Sequence, residues 1–515
     1  MKFLLRVEAV NLSAFTSDSQ DLSTIRGGSM ILLDSVDKLT AFHPDLRKVY
    51  SGASVGVFEV DAENDGAAEQ LRRAVASTLV GTDQKIRASN AQYATFQVAI
   101  SRLESDEDYQ LTSAEVLTRV RVQQLQSPTV VLPRPADPWI GICEVDDLRP
   151  AVTETRRQGG VANEASKQKM KVSRATLDRR LYGIEEKHSL LARRAHCPEQ
   201  EMVNDLEQLT DYPKAGLLHR KMAIISLDGN RFGEFARQCQ TASESSAWSS
   251  FVQYNQDAFL HRLLSEDQDG LMTSWHWSGM VVTNAGEERH KKSAFRLEVL
   301  RWAGDDLLLV VPAWCGWWVL SEFYSCFGAL PWPPAGGKPT GRQWAGRNIT
   351  HGGCIVFAHY NAPIQPLIHL AETLTRDAKM IEANTFTYQV LESFDHLGAN
   401  QREARMRRLP LLLRSNPELL VIDGDHMQDA LSVIVEIRDR LPRKAIYEVL
   451  KALRRDGDNS AISDALSRYH AEKCFEEFCD ALVPNVTDPL LKRALAWVHL
   501  SELWDYIVDP AHLPL

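Results

Sequence analysis

Arg296-Leu-Glu-Val-Leu-Arg-Trp-Ala-Gly-Asp-Asp-Leu-Leu-Leu-Val-Val311 is the stretch that decides the fold, because it predicts two β-strands joined by a tight turn. Its first half alternates polar and apolar residues and its second half is continuously apolar, the patterns of a half-buried and a fully buried strand. Gly304 permits a short turn between the strands. Asp305 and Asp306 follow this glycine. The sequence therefore predicts a β-hairpin that carries two carboxylates at its tip.

A second strand that ends in an acid lies upstream. The apolar run Met222-Ala-Ile-Ile-Ser-Leu-Asp228 predicts a buried strand with a carboxylate at its end. Small residues at the start of the following helix leave backbone N–H groups free to face a phosphate at the positive helix end. We therefore predict contacts to a nucleotide from Gly304 and from the residues after this strand, which are Gly229, Asn230, Arg231, Phe232 and Gly233.

The composition limits the classes of protein to be considered. A chain of 515 residues is long enough for about three or four domains. The net charge is −10 and the pI is about 5.9, whereas a protein that binds nucleic acid alone is usually basic, so we expect partner subunits to hold most of any RNA. Eight cysteines without a Cys-x-x-Cys pair are typical of the reduced cytoplasm. The sequence shows no signal-peptide pattern, and no apolar run is long enough for a membrane span. We therefore expect a cytoplasmic protein that does not cross a membrane.

The order of strand and helix patterns divides the chain into four parts. Residues 1–140 predict a strand, a helix, a strand pair, a helix and a strand, and residues 218–395 repeat this order around Gly304. Residues 141–217 are polar and mostly helical in pattern, and residues 396–515 lack strand patterns and predict a helical bundle. The predicted fold class is therefore α+β, with two βαββαβ units.

The two βαββαβ units align as a degenerate repeat. Aligning their first strands places Glu8 opposite Asp228. Aligning their hairpins places Ser51-Gly52-Ala53-Ser54 opposite Ala303-Gly304-Asp305-Asp306. The second unit keeps three acids where the first keeps one, so we predict that the first unit is structural and holds no metal pair. Chance similarity between two strand–helix–hairpin patterns is the alternative explanation.

The βαββαβ order predicts a metal site. Its first strand lies beside the central hairpin, so Asp228 is expected close to Asp305 and Asp306. Mg²⁺ (or Mn²⁺) prefers such hard oxygen ligands and keeps positions open for phosphates. Metal ions held there would activate an attacking 3′-hydroxyl and neutralise the leaving pyrophosphate. We therefore predict that the three aspartates are metal ligands and catalytic groups, and that Lys379 contacts a phosphate. A polar hairpin tip and a lysine that favours the C-terminal helix dipole are the competing explanations.

Two other features have simpler explanations. Burial is the expected role of the tryptophans near the hairpin, although they could stack a base, because Trp mainly supplies apolar area; they are Trp302, Trp314, Trp317, Trp318, Trp332 and Trp344. Cys143 and Cys197, with His196, suggest half of a metal knuckle. Because Cys143-Glu-Val-Asp146 lacks the second thiolate of a close pair, zinc is not expected.

The acidic strand ends and the segments around them resemble a known family. The strand ending at Asp228, the turn Ala303-Gly304-Asp305-Asp306 and the segment Thr350–His359 leading to Ala378-Lys379 are similar to the large palm-polymerase subunit of type III CRISPR effector complexes. No histidine is followed directly by Asp, so the similarity is to the form that lacks the N-terminal HD nuclease domain. The similarity extends over nearly the whole chain and includes Ile25–Leu33, Cys143–Asp146 and Pro442–Leu450.

The resemblance implies two ferredoxin-like palm domains packed face to face. The palm in residues 1–140 would be degenerate and the palm in residues 218–395 active, joined by a linker with a broken zinc motif in residues 141–217 and followed by a helical domain in residues 396–515. It also implies synthesis of cyclic oligoadenylate from ATP, by attack of a 3′-hydroxyl on the α-phosphate, when target RNA binds an antiviral complex of guide RNA and other effector subunits.

The same resemblance assigns roles to single residues. Asp228 and Asp305 match metal ligands, Asp306 matches a ligand or a carboxylate that acts in the transition state, and Lys379 matches a phosphate contact. Ala303 replaces the first glycine of the usual Gly-Gly-Asp-Asp, a mild change if its backbone φ is negative.

Two other functions are compatible with these residues. The chain could be a scaffold subunit with a vestigial palm, although the retention of three acids argues against it. It could also be a stand-alone palm cyclase in antiphage defence that answers to another trigger.

Overall fold

A computed structural model shows an α+β protein built on two main β-sheets. It describes residues 1–515 except 53, 81–92, 127–139, 157–168, 200, 266–271, 283–288, 328–329, 333–346, 393–404, 408, 411–412, 415–419, 457–459 and 514–515. The fold class predicted from the sequence is confirmed. Within the described residues, no helix combines the length and the apolar composition that a membrane crossing requires.

The first main sheet contains four strands in the order β2-β3-β1-β4. Its elements are β1 (Lys2–Val10), α1 (Leu12–Thr16), α2 (Leu22–Asp37), α3 (Leu39–Phe42), β2 (Leu46–Gly52), β3 (Val55–Asp61), α4 (Asp65–Leu79), β4 (Thr95–Leu103) and α5 (Tyr109–Gln126). Phe3 and Leu5 share a core with α2 and α4, whereas Leu4 shares one with α5. Strand β1 is therefore apolar on both faces because helices cover both.

The segment between the main sheets combines two small sheets with helices. Its elements are β5 (Gly141–Ile142), β6 (Pro150–Ala151), β7 (Thr153–Arg156), β8 (Lys169–Val172), α6 (Arg174–Glu185), α7 (Lys187–Ala195) and α8 (Leu206–Thr210). The sequence predicted the helices of this segment but not its strands. Strands of two to four residues are too short to display a hydrophobic period.

The second main sheet contains six strands in the order β12-β13-β9-β16-β17-β18. Its strands and the hairpins beside it are β9 (Lys221–Gly229), β10 (His276–Val282), β11 (Arg289–Phe295), β12 (Glu298–Ala303), β13 (Asp306–Pro312), β14 (Leu330–Trp332), β15 (Arg347–Ile349), β16 (His351–His359), β17 (Thr385–Val390) and β18 (Ile422–Asp423). The helices of this part are α9 (Phe232–Gln238), α10 (Ala242–Leu264), α11 (Met272–Trp275), α12 (Gly316–Phe327) and α13 (Ile364–Lys379).

Helices cover both faces of the second sheet, and this determines the direction of its side chains. Ile225 and Leu227 of β9 share a core with α10 and α12. Met222 and Ile224 share a different core with α13. Because successive side chains alternate along a strand, the even-numbered residue Asp228 lies on the α13 face.

The two main sheets repeat one strand order. In each of them the first strand of the unit lies between the third and the fourth, as the βαββαβ pattern predicts. Strands β17 and β18 extend the second sheet beyond this repeat, and β17 runs parallel to β16 after the crossover through α13.

The hairpin turns align one residue differently from the sequence alignment. Gly52 pairs with Val55 across the first turn, and Ala303 pairs with Asp306 across the second. Gly52 therefore corresponds to Ala303, so the predicted match of Gly52 with Gly304 was wrong. Two short glycine-containing turns can be aligned in more than one register, and only the strand pairing distinguishes them.

Helices at the C-terminal end pack directly on the second sheet. The described part of residues 396–515 contains the helices Met427–Arg440, Arg443–Asp456, Ser460–Tyr469, Glu472–Leu482 and Pro489–Leu503. They share one continuous apolar core with the α12 face of the sheet. The buried indole of Trp317 in α12 donates a hydrogen bond of 3.1 Å to the Met427 carbonyl.

Helices α2 and α6 cross in direct backbone contact. A Cβ atom on Gly27 would lie 1.8 Å from the carbonyl oxygen of Arg179, and one on Gly183 would lie 2.1 Å from the carbonyl oxygen of Ser23. Neither position therefore accepts a side chain without separating the helices.

A buried ion triad lies next to this crossing. Arg26 of α2 and Lys187 of α7 both contact the carboxylate of Glu298 in β12, and all three side chains are almost completely buried. Arg26 also donates a 2.8 Å hydrogen bond to the carbonyl of Gly183. The triad therefore links helix α2 and helix α7 to strand β12 of the second sheet.

We expect Gly27→Ala to lower the stability of the protein by about 1–3 kcal/mol, because the added methyl group overlaps the α6 backbone. The midpoint of thermal unfolding measures this loss. Ser29→Ala, on the same helix and away from the crossing, is the control. A midpoint equal to that of the control would mean that α2 and α6 separate without loss.

Candidate active site

Asp228 and Asp306 lie directly opposite each other on neighbouring strands. Strand β13 pairs antiparallel with β9, and the register places these two residues as partners. Both side chains therefore project to the α13 face of the sheet. The proximity predicted from the βαββαβ order is present in the fold.

The turn between β12 and β13 is a two-residue connection. Gly304 has φ of 59°, the left-handed value that primed hairpin turns require at their first central position. Ala303 is the last residue of β12 and pairs with Asp306, so its backbone is extended. An extended backbone accommodates alanine, which supports the expectation that Ala303 is a mild replacement.

Lys379 contacts an acid of the site rather than open solvent. Its Nζ lies 2.6 Å from Oδ2 of Asp228. A Cβ atom on Gly352, the neighbour of Asp228 on β16, would lie 2.5 Å from Cγ of Lys379. The glycine therefore lets the end of α13 approach the sheet closely enough for this ion pair.

Arg301 is a residue of the site that the sequence did not point to. Its Nη1 lies 3.1 and 2.8 Å from the two carboxylate oxygens of Asp306, and its Nη2 donates a 2.7 Å hydrogen bond to Glu372 of α13. The register of β12 shifts between Val299 and Arg301, which is a β-bulge. A bulge re-aims the side chains that follow it, and no feature of the amino-acid sequence marks its position.

Burial and neighbouring carboxylates raise the pKa values of the two hairpin acids. Burial, assisted by the Asp228 carboxylate, raises the pKa of Asp305 to about 7. Loss of solvent raises the pKa of Asp306 to about 6, although the Arg301 guanidinium opposes the shift. Groups that titrate near neutral pH in a cleft are typical of functional sites.

A cavity of about 340 Å³ lies where the hairpin tips of the two main sheets meet. The first sheet contributes Arg6, Tyr50, Ser51 and Gly52, and the β12–β13 hairpin contributes Trp302, Gly304 and Asp305. Helices α9 and α10 contribute Phe232, Gly233, Trp248 and Gln256. Asp305 thus faces the cavity, while Asp228 and Asp306 lie on the α13 face at the same sheet edge. The side-chain amide of Gln256 donates to the Gly304 carbonyl and holds the turn against α10.

The residues after Asp228 have different environments. A Cβ atom on Gly229 would lie 2.3 Å from the ring of Phe232, so this glycine makes room for that ring. The Asn230 amide points inward and donates to Thr350 at 2.9 Å and to the Ala383 carbonyl at 3.0 Å. Of the predicted nucleotide contacts in this segment, Phe232 and Gly233 therefore line the cavity, and the Asn230 amide group is engaged within the protein.

Arg231 adopts a strained backbone beside the site. Its φ is 59°, at the residue before α9, and its guanidinium pairs with Glu382. This pair lies just beyond the C-terminal end of α13, close to the Lys379 contact. Arg231 is thus engaged at the rim rather than directed into the cavity.

The chemistry of the donor set fits a divalent cation, but two of its three carboxylates already contact a cation of the chain. Three carboxylates at one sheet edge are hard oxygen ligands. In the described part of the chain, no three His, Cys, Asp or Glu side chains stand together in a group ready to hold a metal. Lys379 forms an ion pair with Asp228, and Arg301 forms one with Asp306. A metal cation would therefore have to displace these two side chains.

The first sheet holds Glu8, the acid aligned with Asp228, differently. Glu8 pairs across the sheet with Val55, where Asp228 pairs with Asp306. Its carboxylate lies 2.9 Å from Arg6 and 2.7 Å from Arg121 of α5. A carboxylate bound by two guanidinium groups, without a second acid opposite, is a structural ion pair.

The tryptophans and cysteines behave mainly as core residues. Five of the six tryptophans near the hairpin are buried, namely Trp302, Trp314, Trp317, Trp318 and Trp332, and Trp344 lies outside the described residues. Cys143 and Cys197 belong to different apolar clusters. Asp146 accepts a 2.6 Å hydrogen bond from Thr176 and a 2.9 Å bond from the Arg149 backbone, so it is satisfied without a metal.

The arrangement of two main sheets that meet at their hairpin tips is shared with solved structures of proteins from type III CRISPR complexes. The crystal structure of Csm1 in T. onnurineus matches 96% of this chain and 69% of its own length, with a TM-score of 0.51 and 12% identity. A Csm1–Csm4 cassette in complex with one ATP matches 99% of this chain and 70% of its own, with a TM-score of 0.54 and 11% identity.

A protein from a type III-B complex has the same fold. The apo state of a type III-B Cmr-beta complex matches 97% of this chain and 81% of its own length, with a TM-score of 0.53 and 8% identity. No family model and no curated protein sequence matches the chain. The predicted resemblance is thus confirmed as a shared fold over nearly the whole chain, at low sequence identity.

The raised pKa of Asp305 predicts a pH-dependent stability. Folding favours the protonated carboxyl of Asp305. Its contribution to the free energy of unfolding is therefore fully present below pH 3.8 and is lost as the pH rises towards about 7. We expect Asp305→Asn to stabilise the protein by on the order of 2 kcal/mol at pH 8 and to have little effect near pH 4.

Denaturant unfolding at both pH values measures this effect. Asp61→Asn is the control, because the Arg47 guanidinium lowers the pKa of that exposed carboxyl, and it should give no gain at pH 8. A gain of equal size at both pH values would contradict the burial of a charged Asp305.

Proposed function

We propose that the chain is a nucleotidyltransferase that converts ATP to cyclic oligoadenylate as the large subunit of a type III CRISPR complex activated by target RNA. The observation that carries this proposal is the strand pairing of Asp228 with Asp306, next to a cavity into which Asp305 faces. The Csm1–Csm4 cassette of the same fold is described in complex with one ATP, which supports ATP as the substrate.

The proposed reaction is attack of a 3′-hydroxyl on the α-phosphate of ATP with release of pyrophosphate. Asp228, Asp305 and Asp306 are the residues that would hold Mg²⁺ or Mn²⁺. A bound divalent cation would supply charge neutralisation at the phosphates and lower the pKa of the hydroxyl. Lys379, 2.6 Å from Asp228, is the cation that would turn to a phosphate when this carboxylate is engaged elsewhere. Gly304 and Gly233 leave room for close approach at the cavity wall.

The division of labour within the chain follows from its two halves. Residues 1–140 act as the degenerate palm that closes the cavity, and residues 218–395 act as the catalytic palm. Residues 141–217 link them, and residues 396–515 form the helical domain. Because the net charge is −10, other effector subunits are the proposed holders of the guide RNA and the target RNA.

We expect the chain, in complex with its partner subunits and target RNA, to form new nucleotide products from ATP and Mg²⁺. Asp305→Ala/Asp306→Ala should reduce their formation at least about 100-fold, because two carboxylates that engage metal and substrate are removed. Mass spectrometry of the products measures this. Asp61→Ala, in the first sheet, is the control, and equal product formation by the double variant would contradict the proposal.

A scaffold subunit with a vestigial palm is the second candidate function. The ion pairs of Asp228 with Lys379 and of Asp306 with Arg301 favour it, since both acids are balanced without a metal. Calorimetry with ATP and Mg²⁺ separates the two functions. Binding to the wild type that is lost in the double variant supports the enzyme, whereas no binding supports the scaffold.

We expect Ala303→Gly to leave the rate of product formation within about twofold of the wild type, because residue 303 has an extended backbone. The same change should lower stability by roughly 0.5–1 kcal/mol through the greater freedom of glycine in the unfolded chain. Initial rates and thermal unfolding test both statements. A large gain in rate would show that alanine at this position distorts the turn.

A further inference from the structure

The carboxylate of Asp306 already has a cation as its partner. Nη1 of Arg301 contacts both of its oxygens, and Nη2 contacts Glu372 at 2.7 Å. The side chain of Arg301 is 21% exposed and that of Glu372 is 31% exposed. A guanidinium that joins two partly shielded carboxylates is held more firmly than an exposed ion pair.

The bridge joins the hairpin to the helix behind it. The bulge between Val299 and Arg301 directs the arginine to the face where Asp306 lies, diagonally across the strand pair. Glu372 comes from α13, the same helix that carries Lys379 to Asp228. Each of the two paired acids therefore has its own cation, and Arg301 also contacts a second carboxylate, that of Glu372, to which it can move.

We propose that Arg301 and Glu372 form a charge latch that sets the affinity of the site for a divalent cation. This inference rests on the proposed function, in which Asp306 takes part in holding that cation. Arg301 competes with the divalent cation for the carboxylate of Asp306. When Asp306 binds the divalent cation, the guanidinium of Arg301 stays paired with Glu372. Arg301 is thus a positioning residue that acts through Asp306.

The two members of the latch should act in opposite directions. Removing the guanidinium leaves the carboxylates of Asp306 and Glu372 uncompensated beside Asp228, which strengthens the attraction for a cation. Removing the charge of Glu372 leaves Arg301 with Asp306 as its remaining partner in the bridge and takes one negative charge from the site. A residue that only supported the fold would weaken cation binding in both cases.

The test is a titration of the purified chain with Mn²⁺ in the absence of nucleotide, with free Mn²⁺ followed by electron paramagnetic resonance. We expect Arg301→Gln to lower the Kd for Mn²⁺ about fivefold and Glu372→Gln to raise it by a similar factor, equivalent to about 1 kcal/mol each. Arg47→Gln is the matched control. Arg47 lies on β2, the strand equivalent to β12, and also bridges two acids, Glu59 and Asp61. It should leave the Kd unchanged, and circular dichroism verifies that all four proteins are folded.

The outcomes separate the latch from the proposed function. Shifts of the same sign in both variants, or no shift, overturn the latch even if the wild type forms products from ATP. Opposite shifts without any product support the latch and count against the catalytic proposal. Absence of Mn²⁺ binding in all four proteins overturns both.

Discussion

The pairing of β13 with β9 imposes the main constraint on this structure, because it sets two carboxylates directly opposite each other. Like charges opposite one another destabilise an antiparallel pair. The fold offsets this repulsion from two directions, with Lys379 at the end of α13 contacting Asp228 and with Arg301 after a β-bulge contacting Asp306. The close approach of α13 at Gly352 brings Lys379 to the first acid, and the bulge brings Arg301 to the second.

The first main sheet shows how the same strand order behaves without this constraint. Val55 replaces the second acid, and Glu8 is held by Arg6 and by Arg121 from the outer helix α5. In both halves the outer helix therefore supplies a cation to the acid at the end of the first strand. The second half adds two further carboxylates, whose pKa values are raised by burial and by the neighbouring acids.

The amino-acid sequence predicted that the acids lie together at one edge of the sheet, but it did not predict which charged side chains contact them. The apolar strand before Asp228 and the hairpin around Gly304 carry strong hydrophobic periods, so their proximity followed from the βαββαβ order alone. Arg301 was missed because its direction depends on a bulge. The hydrogen bonds of the Asn230 amide to Thr350 and to the Ala383 carbonyl were likewise not foreseen. Both outcomes depend on neighbours distant in sequence.

The sequence by itself determined the α+β class, the order of two repeated units and the presence of acids at two strand ends, since these follow from local hydrophobic periods and turn residues. The tertiary structure decided which atoms those acids meet. It places Asp228 and Asp306 on the α13 face and Asp305 at the cavity, and it brings Lys379 into contact with Asp228. It also fixed the correspondence of the hairpins, because side-chain direction and strand register depend on pairing across the sheet and on helix packing rather than on the local sequence.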